Sequence, residues 1–193
     1  MITQLKMDKR ELLIEAATKL FVERGFHATP TSAITKEAGV SAGILFHYFK
    51  TKDELIVELF VELKKQYSGF ILKDIDKIKT PIGKLRLIWA NSWRWGLENP
   101  IKFKFIQQAD NSIYYESIKN HPEITAKHKM FSEFLKEYID EKLIKDIDQE
   151  FLMRSMSSLI NSMINHLTIH PELKNDSVFN EQSWEMFYNF LKP

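Results

Sequence analysis

A chain of 193 residues with 44% apolar residues, six glycines and six prolines is long and apolar enough for one or two small cores and too poor in chain breakers for a disordered polymer. It has no cysteine, which excludes disulfides, thiolate zinc sites and thiol nucleophiles and suits a reducing cytoplasm. The formal net charge is +1, no 18 apolar residues follow one another, and Met1 to Arg10 lacks the apolar core of a signal peptide, so neither membrane insertion nor secretion is expected.

Asp8 precedes Leu12, Leu13, Ala16, Ala17, Leu20 and Phe21, the stripe of an amphipathic first helix that closes at Gly25. Thr29, Pro30 and Thr31 form an extended break, because the residue before a proline avoids the helical region, and Thr31 is expected to cap the second helix. Ile34 and Ala38 share one face of that helix, which stops at Gly39, where a residue tolerating positive φ is wanted. Val40 plugs the turn, and the Ser41 side chain is expected to cap a third helix. Leu45 and Phe49 face inward on it, leaving Ala42, Gly43, Phe46 and His47 outward near its N-terminal end. That is the layout of a helix-turn-helix with its recognition helix in a major groove. Small Ala42 and Gly43 allow close approach, His47 can donate to or accept from a base edge, and Lys50 and Lys52 reach for phosphates. Thr51 with Glu54 reads as a capping box for a long fourth helix, with Leu55, Leu59 and Leu63 on one face and Ile56, Phe60 and Tyr67 beside them. Up to residue 55 the Lys and Arg at 6, 9, 10, 19, 24, 36, 50 and 52 are nearly balanced by Asp and Glu at 8, 11, 15, 23, 37, 53 and 54. DNA binding here therefore needs locally placed charge.

The run from Ile34 to Leu55 resembles the TetR family of bacterial transcriptional repressors, whose pattern is I-A-x-x-A-G-V-S-x-G-x-L-Y-x-[HY]-F-x-x-K-x-x-L. The likeness extends upstream through Leu13 to Phe26 and Thr29 to Thr31, covering roughly the first 55 residues. Thr35 stands where the family has Ala, and Phe46 where it has a Tyr whose hydroxyl contacts phosphate; Tyr48 offers a hydroxyl at a different place on the helix. The resemblance implies DNA contacts at Thr31, Ser41, Ala42, Gly43, Phe46, His47, Tyr48, Lys50 and Lys52. Beyond about residue 60 it implies architecture only.

Thr80 and Pro81 start a fifth helix, ended by Asn99 and Pro100, with Leu85, Trp89, Trp93 and Leu97 along one face and Trp95 pointing elsewhere. A sixth runs from about Ile101 to His121, carrying Phe103, Phe105, Ile106 and the Tyr114–Tyr115 pair, with a kink or break at Asp110, Asn111 and Ser112. The seventh follows Pro122 and carries Ile124, Phe131, Phe134, Leu135, Tyr138 and Ile139. The eighth, from about Asp148 to Ile169, has one stripe of Leu152, Met156, Leu159 and Met163 and a second of Ser155, Ser158 and Ser162, small enough for another helix to approach closely. The ninth places Trp184, Phe187, Tyr188 and Leu191 on a broad apolar face that needs a partner.

The expected fold is all-α with about nine helices: a three-helix helix-turn-helix DNA-binding domain over residues 1–54, then a helical bundle over 55–193 for effector binding and dimerisation. The resemblance implies an effector pocket in that bundle, for which Trp89, Trp93, Phe105, Tyr114, Phe131, Phe134 and Met163 supply apolar lining and Gln107, Asp110 and Asn161 polar groups. Asp110 among aromatics would favour a cationic ligand. The dimer interface is expected at Leu152, Ser155, Met156, Ser158, Leu159, Ser162, Trp184, Phe187, Tyr188 and Leu191. His166 and His170 are four apart, but two imidazoles are too few for a metal site, and His121 and His128 bring no carboxylate at a telling spacing. No G-x-S-x-G turn, phosphate loop or dinucleotide fingerprint occurs, so neither an enzyme nor a cofactor is expected. The reading is a cytoplasmic, homodimeric bacterial regulator, a repressor released from a palindromic operator by a small apolar or aromatic effector. The alternatives are a DNA-binding regulator without an effector, or an all-α carrier or enzyme.

Overall fold

The computed structural model describes residues 8–193, and the signal-peptide reading of residues 1–7 lies outside the described residues. Among the described residues there are ten α-helices and no strand: α1 Lys9–Arg24, α2 Thr31–Ala38, α3 Ala42–Tyr48, α4 Lys52–Ile71, α5 Pro81–Glu98, α6 Pro100–Asp110, α7 Tyr115–Lys119, α8 Pro122–Asp140, α9 Gln149–Ile169 and α10 Ser177–Leu191. Short 3-10 turns occupy Ile75–Lys77 and Pro171–Asn175. None of these helices is long and apolar enough to cross a membrane.

The helix count exceeds the expected nine because the stretch from Ile101 to His121 divides in two. Asn111 Nδ2 donates to the Gln107 carbonyl at 2.8 Å and Ser112 Oγ to the Ala109 carbonyl at 2.8 Å. Side chains thus take acceptors that a continuing helix would use, which is how Asn and Ser end helices.

Two expected caps are made differently. Pro30, extended at φ −74°, is the N-cap of α2, its carbonyl accepting from Ala33 N at 3.0 Å, and Thr31 is the first helical residue. Ser41 starts α3 through its carbonyl, which accepts from Ile44 N at 3.1 Å; its hydroxyl makes no cap bond. At α4, Glu54 N donates to Thr51 Oγ1 at 3.0 Å, but the Glu54 carboxylate accepts from Lys50 N at 2.6 Å. The box closes one residue further out than its sequence form. Gly39 does adopt the left-handed conformation, φ 65°, that ends α2.

The chain folds into two compact units, one comprising the described residues through Lys64 with Pro100–His121, the other Lys65–Asn99 with Pro122–Pro193. In the first unit, Leu13, Ala17 and Phe21 of α1, Ile34 of α2, Leu45 of α3, Leu55 of α4 and Phe105 of α6 are all fully buried. The helix-turn-helix is therefore built on a core that α6 completes. Phe26, between α1 and α2, makes edge contacts with Phe21 at 5.3 Å, Phe105 at 5.7 Å and Tyr114 at 5.4 Å between ring centroids.

In the second unit α5 lies against α9. A Cβ added at Gly96 would stand 2.5 Å from Ile164 Cδ1, so glycine is what permits this approach. Thr80 Oγ1 caps α5 by accepting from Gly83 N at 3.2 Å, with Pro81 in the first turn. Tyr138 of α8 donates its hydroxyl to the Pro81 carbonyl at 3.1 Å. Burial, with Glu137 and Glu141 nearby, pushes that phenol up to about 12 and keeps the donor protonated.

Candidate nucleic-acid interface

The outward face of α3 follows from its inward one. Leu45 is fully buried and Phe49 is 2% exposed, so the two anchors four residues apart fix the roll of a helix only seven residues long. Ser41, Ala42, Gly43, Phe46, His47, Tyr48 and Lys50 are all at the surface, Phe46 at 49% and Tyr48 at 36% exposure. The His47 and Tyr48 rings meet edge to face at 5.3 Å. Thr31, at the start of α2, is half-buried.

Lys52 has a second occupation. Its half-buried ammonium donates to the Phe26 carbonyl at 2.9 Å and more weakly to the Thr29 carbonyl at 3.4 Å. Two of its three N–H groups thus tie the first turn of α4 to the loop feeding α2, leaving one for a phosphate. The next residue, Asp53, accepts from the Tyr114 hydroxyl at 3.0 Å. Burial first, then the hydrogen bond and charge of Asp53, raises the Tyr114 phenol above its ordinary pKa, so it remains a donor. These long-range ties were not visible in the sequence, since their partners lie 23 to 61 residues apart.

The near-neutral charge of this region has a structural basis in pairing. Glu37 holds Lys19 at 2.6 Å, the shared hydrogen bond lowering the carboxyl pKa and raising the ammonium one. Glu11 accepts from Asp8 N and Glu54 from Lys50 N. Arg10 pairs with Glu62 at 2.7 Å and lies over the Phe49 ring. Acidic groups are thereby spent on caps and ion pairs while the α3 surface carries none.

Residues 13–59 match the model of the bacterial regulatory proteins of the tetR family. Over 186 residues the chain is 27% identical to a helix-turn-helix-type transcriptional regulator of Haemophilus influenzae, covering 94% of this chain and 96% of that one. Over its helix-turn-helix the chain is therefore similar to the TetR family of bacterial regulators. A Shewanella sp. PV-4 protein described as a tetR family transcription regulator superposes with a TM-score of 0.88 at 24% identity, over 96% of this chain and 98% of that one. Bacillus subtilis FadR, solved with stearoyl-CoA, does so with a TM-score of 0.73 at 20% identity, over 93% and 98%. The all-α fold with its N-terminal helix-turn-helix is that of these solved TetR-family structures.

The remaining candidate residues are divided between the two units. Phe105 and Tyr114 pack on Phe26 in the first unit, where Gln107 is half-buried and Asp110 pairs with Lys64 at 3.6 Å. An Asp110 carboxylate already facing an ammonium is poorly suited to a cationic ligand. Trp89, Trp93, Phe131, Phe134, Asn161 and Met163 belong to the second unit. Trp89 and Met163 line an open cleft of about 300 Å³ with Leu159, Ser162, His166, Phe179, Gln182, Ser183, Met186 and Phe187. Phe131 and Phe134 stack at 5.8 Å and, like Asn161, are half-buried outside that lining. Trp93 Nε1 is a buried donor with no acceptor.

On α9 and α10, Leu152, Met156, Trp184, Phe187 and Leu191 are buried within the unit, Trp184 and Phe187 against Trp89. Ser155, Leu159 and Tyr188 are half-buried, and Ser158 and Ser162 exposed. The apolar surface these helices show is instead Phe151, Ile169, Val178 and Met186, each at least 60% exposed. The sequence signal for them was weak: they fall off the main stripe, which the unit's own core consumes. The His166 and His170 rings lie tilted to one another at 4.7 Å between centroids, with His170 Nδ1 3.2 Å from Glu172. No group of three metal-ligating side chains occurs among the described residues.

Proposed function

We propose that the chain acts in the bacterial cytoplasm as a homodimeric, ligand-responsive repressor whose two α3 helices read successive major grooves of a palindromic operator. The observation that carries this is the solvent-facing side of α3, free of acidic groups and held by Leu45, Phe49 and the Lys52 and Asp53 ties. A dimer reading a palindrome places its half-sites about 34–36 Å apart. We take Ala42, Gly43, Phe46 and His47 as the base-reading residues, and Thr31, Ser41, Tyr48, Lys50 and the third N–H of Lys52 as phosphate contacts. Functionally, residues 1–54 bind DNA and 55–193 bind effector and partner.

The effector is a small molecule with an apolar or aromatic body, bound in the second unit among aromatics that include Trp89 and Trp93. The orphaned Trp93 donor supports a ligand carrying a hydrogen-bond acceptor, because a buried unpaired N–H costs about 1–3 kcal/mol. Coupling to DNA is expected at about 1–3 kcal/mol, and by linkage operator DNA weakens effector binding equally. It would pass along α4, whose residues are shared between the units. The second copy is proposed to sit on the exposed side of α9 and α10, over Phe151, Leu159, Ser162 and Met186.

The deciding experiment is selection of sites from random duplex DNA by the purified protein across a salt series. Enrichment of an inverted repeat supports the dimeric reader. No enrichment at any salt, with co-purified ligand removed by refolding, rejects it. Stearoyl-CoA, bound by the Bacillus subtilis neighbour, is the first effector probe: release of the selected operator is the expected result for a matching ligand. An operator that no member of a broad ligand library releases would favour a regulator without an effector.

A further inference from the structure

Phe46 is a large apolar side chain that the structure leaves at the surface. It is 49% exposed on a helix whose anchors, Leu45 and Phe49, are at most 2% exposed. Helical side chains lean toward the helix N-terminus and cover the turn before their own Cα. Phe46 stands three and four residues after Gly43 and Ala42, so the three share one face of the helix. Ala42 and Gly43 bring one methyl group and a hydrogen, and a Cβ added at Gly43 would meet nothing nearer than Ser41 Oγ at 3.9 Å. The side chains of Ala42, Gly43 and Phe46 thus form a strip with no donor and no acceptor, on the part of α3 that enters the groove first.

Such a strip can read little. In the major groove the base edges present donors and acceptors at every pair, and the apolar group among them is the C5-methyl of thymine. Pressing Phe46 onto an amino or carbonyl group would bury that group unpaired. We propose that Phe46 is a specificity-determining residue that packs on the 5-methyl of one thymine in each half-site, while His47, one residue on, takes the polar edge of a neighbouring pair. This inference rests on the DNA-reading function proposed above.

The test uses the selected operator and the full-length protein. Each thymine in turn is replaced by deoxyuridine, which removes the methyl group alone. One position per half-site should weaken binding about four-fold, the factor that burying one methyl group gives; the other positions should change little. Phe46→Ala should bind the thymine and uracil duplexes equally at that position. Phe46→Leu, which keeps an apolar side chain, should retain part of the discrimination, and His47→Ala all of it. Thermal unfolding of each variant confirms that it is folded. If no thymine responds to loss of its methyl, or if Phe46→Ala discriminates as well as wild type, the inference is overturned while the regulator reading stands. If no sequence is enriched in the first place, both fall together.

Discussion

Lys52 and Lys50 look alike in the sequence and are put to different uses. Lys52 spends two of its three protons on carbonyls of the Phe26–Thr29 loop, so its charge is structural before it is a DNA contact. Lys50 is exposed and engages Glu54 only through its backbone N–H. Lys52→Met should therefore lower unfolding free energy by about 2 kcal/mol, the range for charge-assisted hydrogen bonds, read as a shifted urea midpoint. Lys50→Ala should leave that midpoint in place and reduce the salt slope of operator binding by about one unit. Equal midpoints for the two variants would mean that the carbonyl ties carry no stability. What the sequence conveyed at this scale was residue type and helix position: Gly39 in the left-handed region, Leu45 and Phe49 inward, Phe46 and His47 outward. It could not convey that a lysine at the head of α4 faces carbonyls more than twenty residues away, because such a contact has no local spacing.

At the scale of elements, the periodic stripes located every long helix but did not say which neighbour each would bury against. Phe105 and Tyr114 read equally well as pocket lining and as core, and they pack with Phe26 because α6 lies on α1. The same ambiguity applies to α9 and α10, whose richest stripe closes their own unit. Gly96 shows the opposite case, a residue without side-chain signal that sets a helix–helix distance. Adding a methyl there meets Ile164 Cδ1 at 2.5 Å and Cγ1 at 3.0 Å. Overpacking of this kind costs about 1–3 kcal/mol, against about 1 kcal/mol gained from replacing a helical glycine by alanine. Gly96→Ala should thus be net destabilising in the wild-type background and distinctly less so beside Ile164→Val, which lacks the clashing Cδ1. A double-mutant cycle by urea unfolding measures the difference. Additive effects would show that α5 and α9 can separate to admit the methyl.

For the whole molecule, the question is which apolar surface a second copy covers. Trp184 and Phe187 carry the strongest sequence signal, yet at 5% and 2% exposure they are already covered by Trp89 and its neighbours. Trp184→Ala should therefore act on folding, costing about 3–5 kcal/mol as other large-to-small core changes do, and any loss of dimer would be secondary to unfolding. Met186 is 62% exposed and lines the cleft between α9 and α10 with Leu159 and Ser162. Met186→Asp removes little from the unit's own core and sets a charge in the proposed interface, where burying it unpaired is costly. Sedimentation should show folded Met186→Asp monomers at concentrations where wild type is dimeric, with unfolding temperature losing the rise with concentration that a dimer shows by mass action. Operator affinity should fall in parallel, since one recognition helix then binds without the other's effective concentration. A variant that stays dimeric would move the interface off this face. A variant that is monomeric yet binds the inverted repeat with undiminished affinity would separate operator reading from dimerisation altogether.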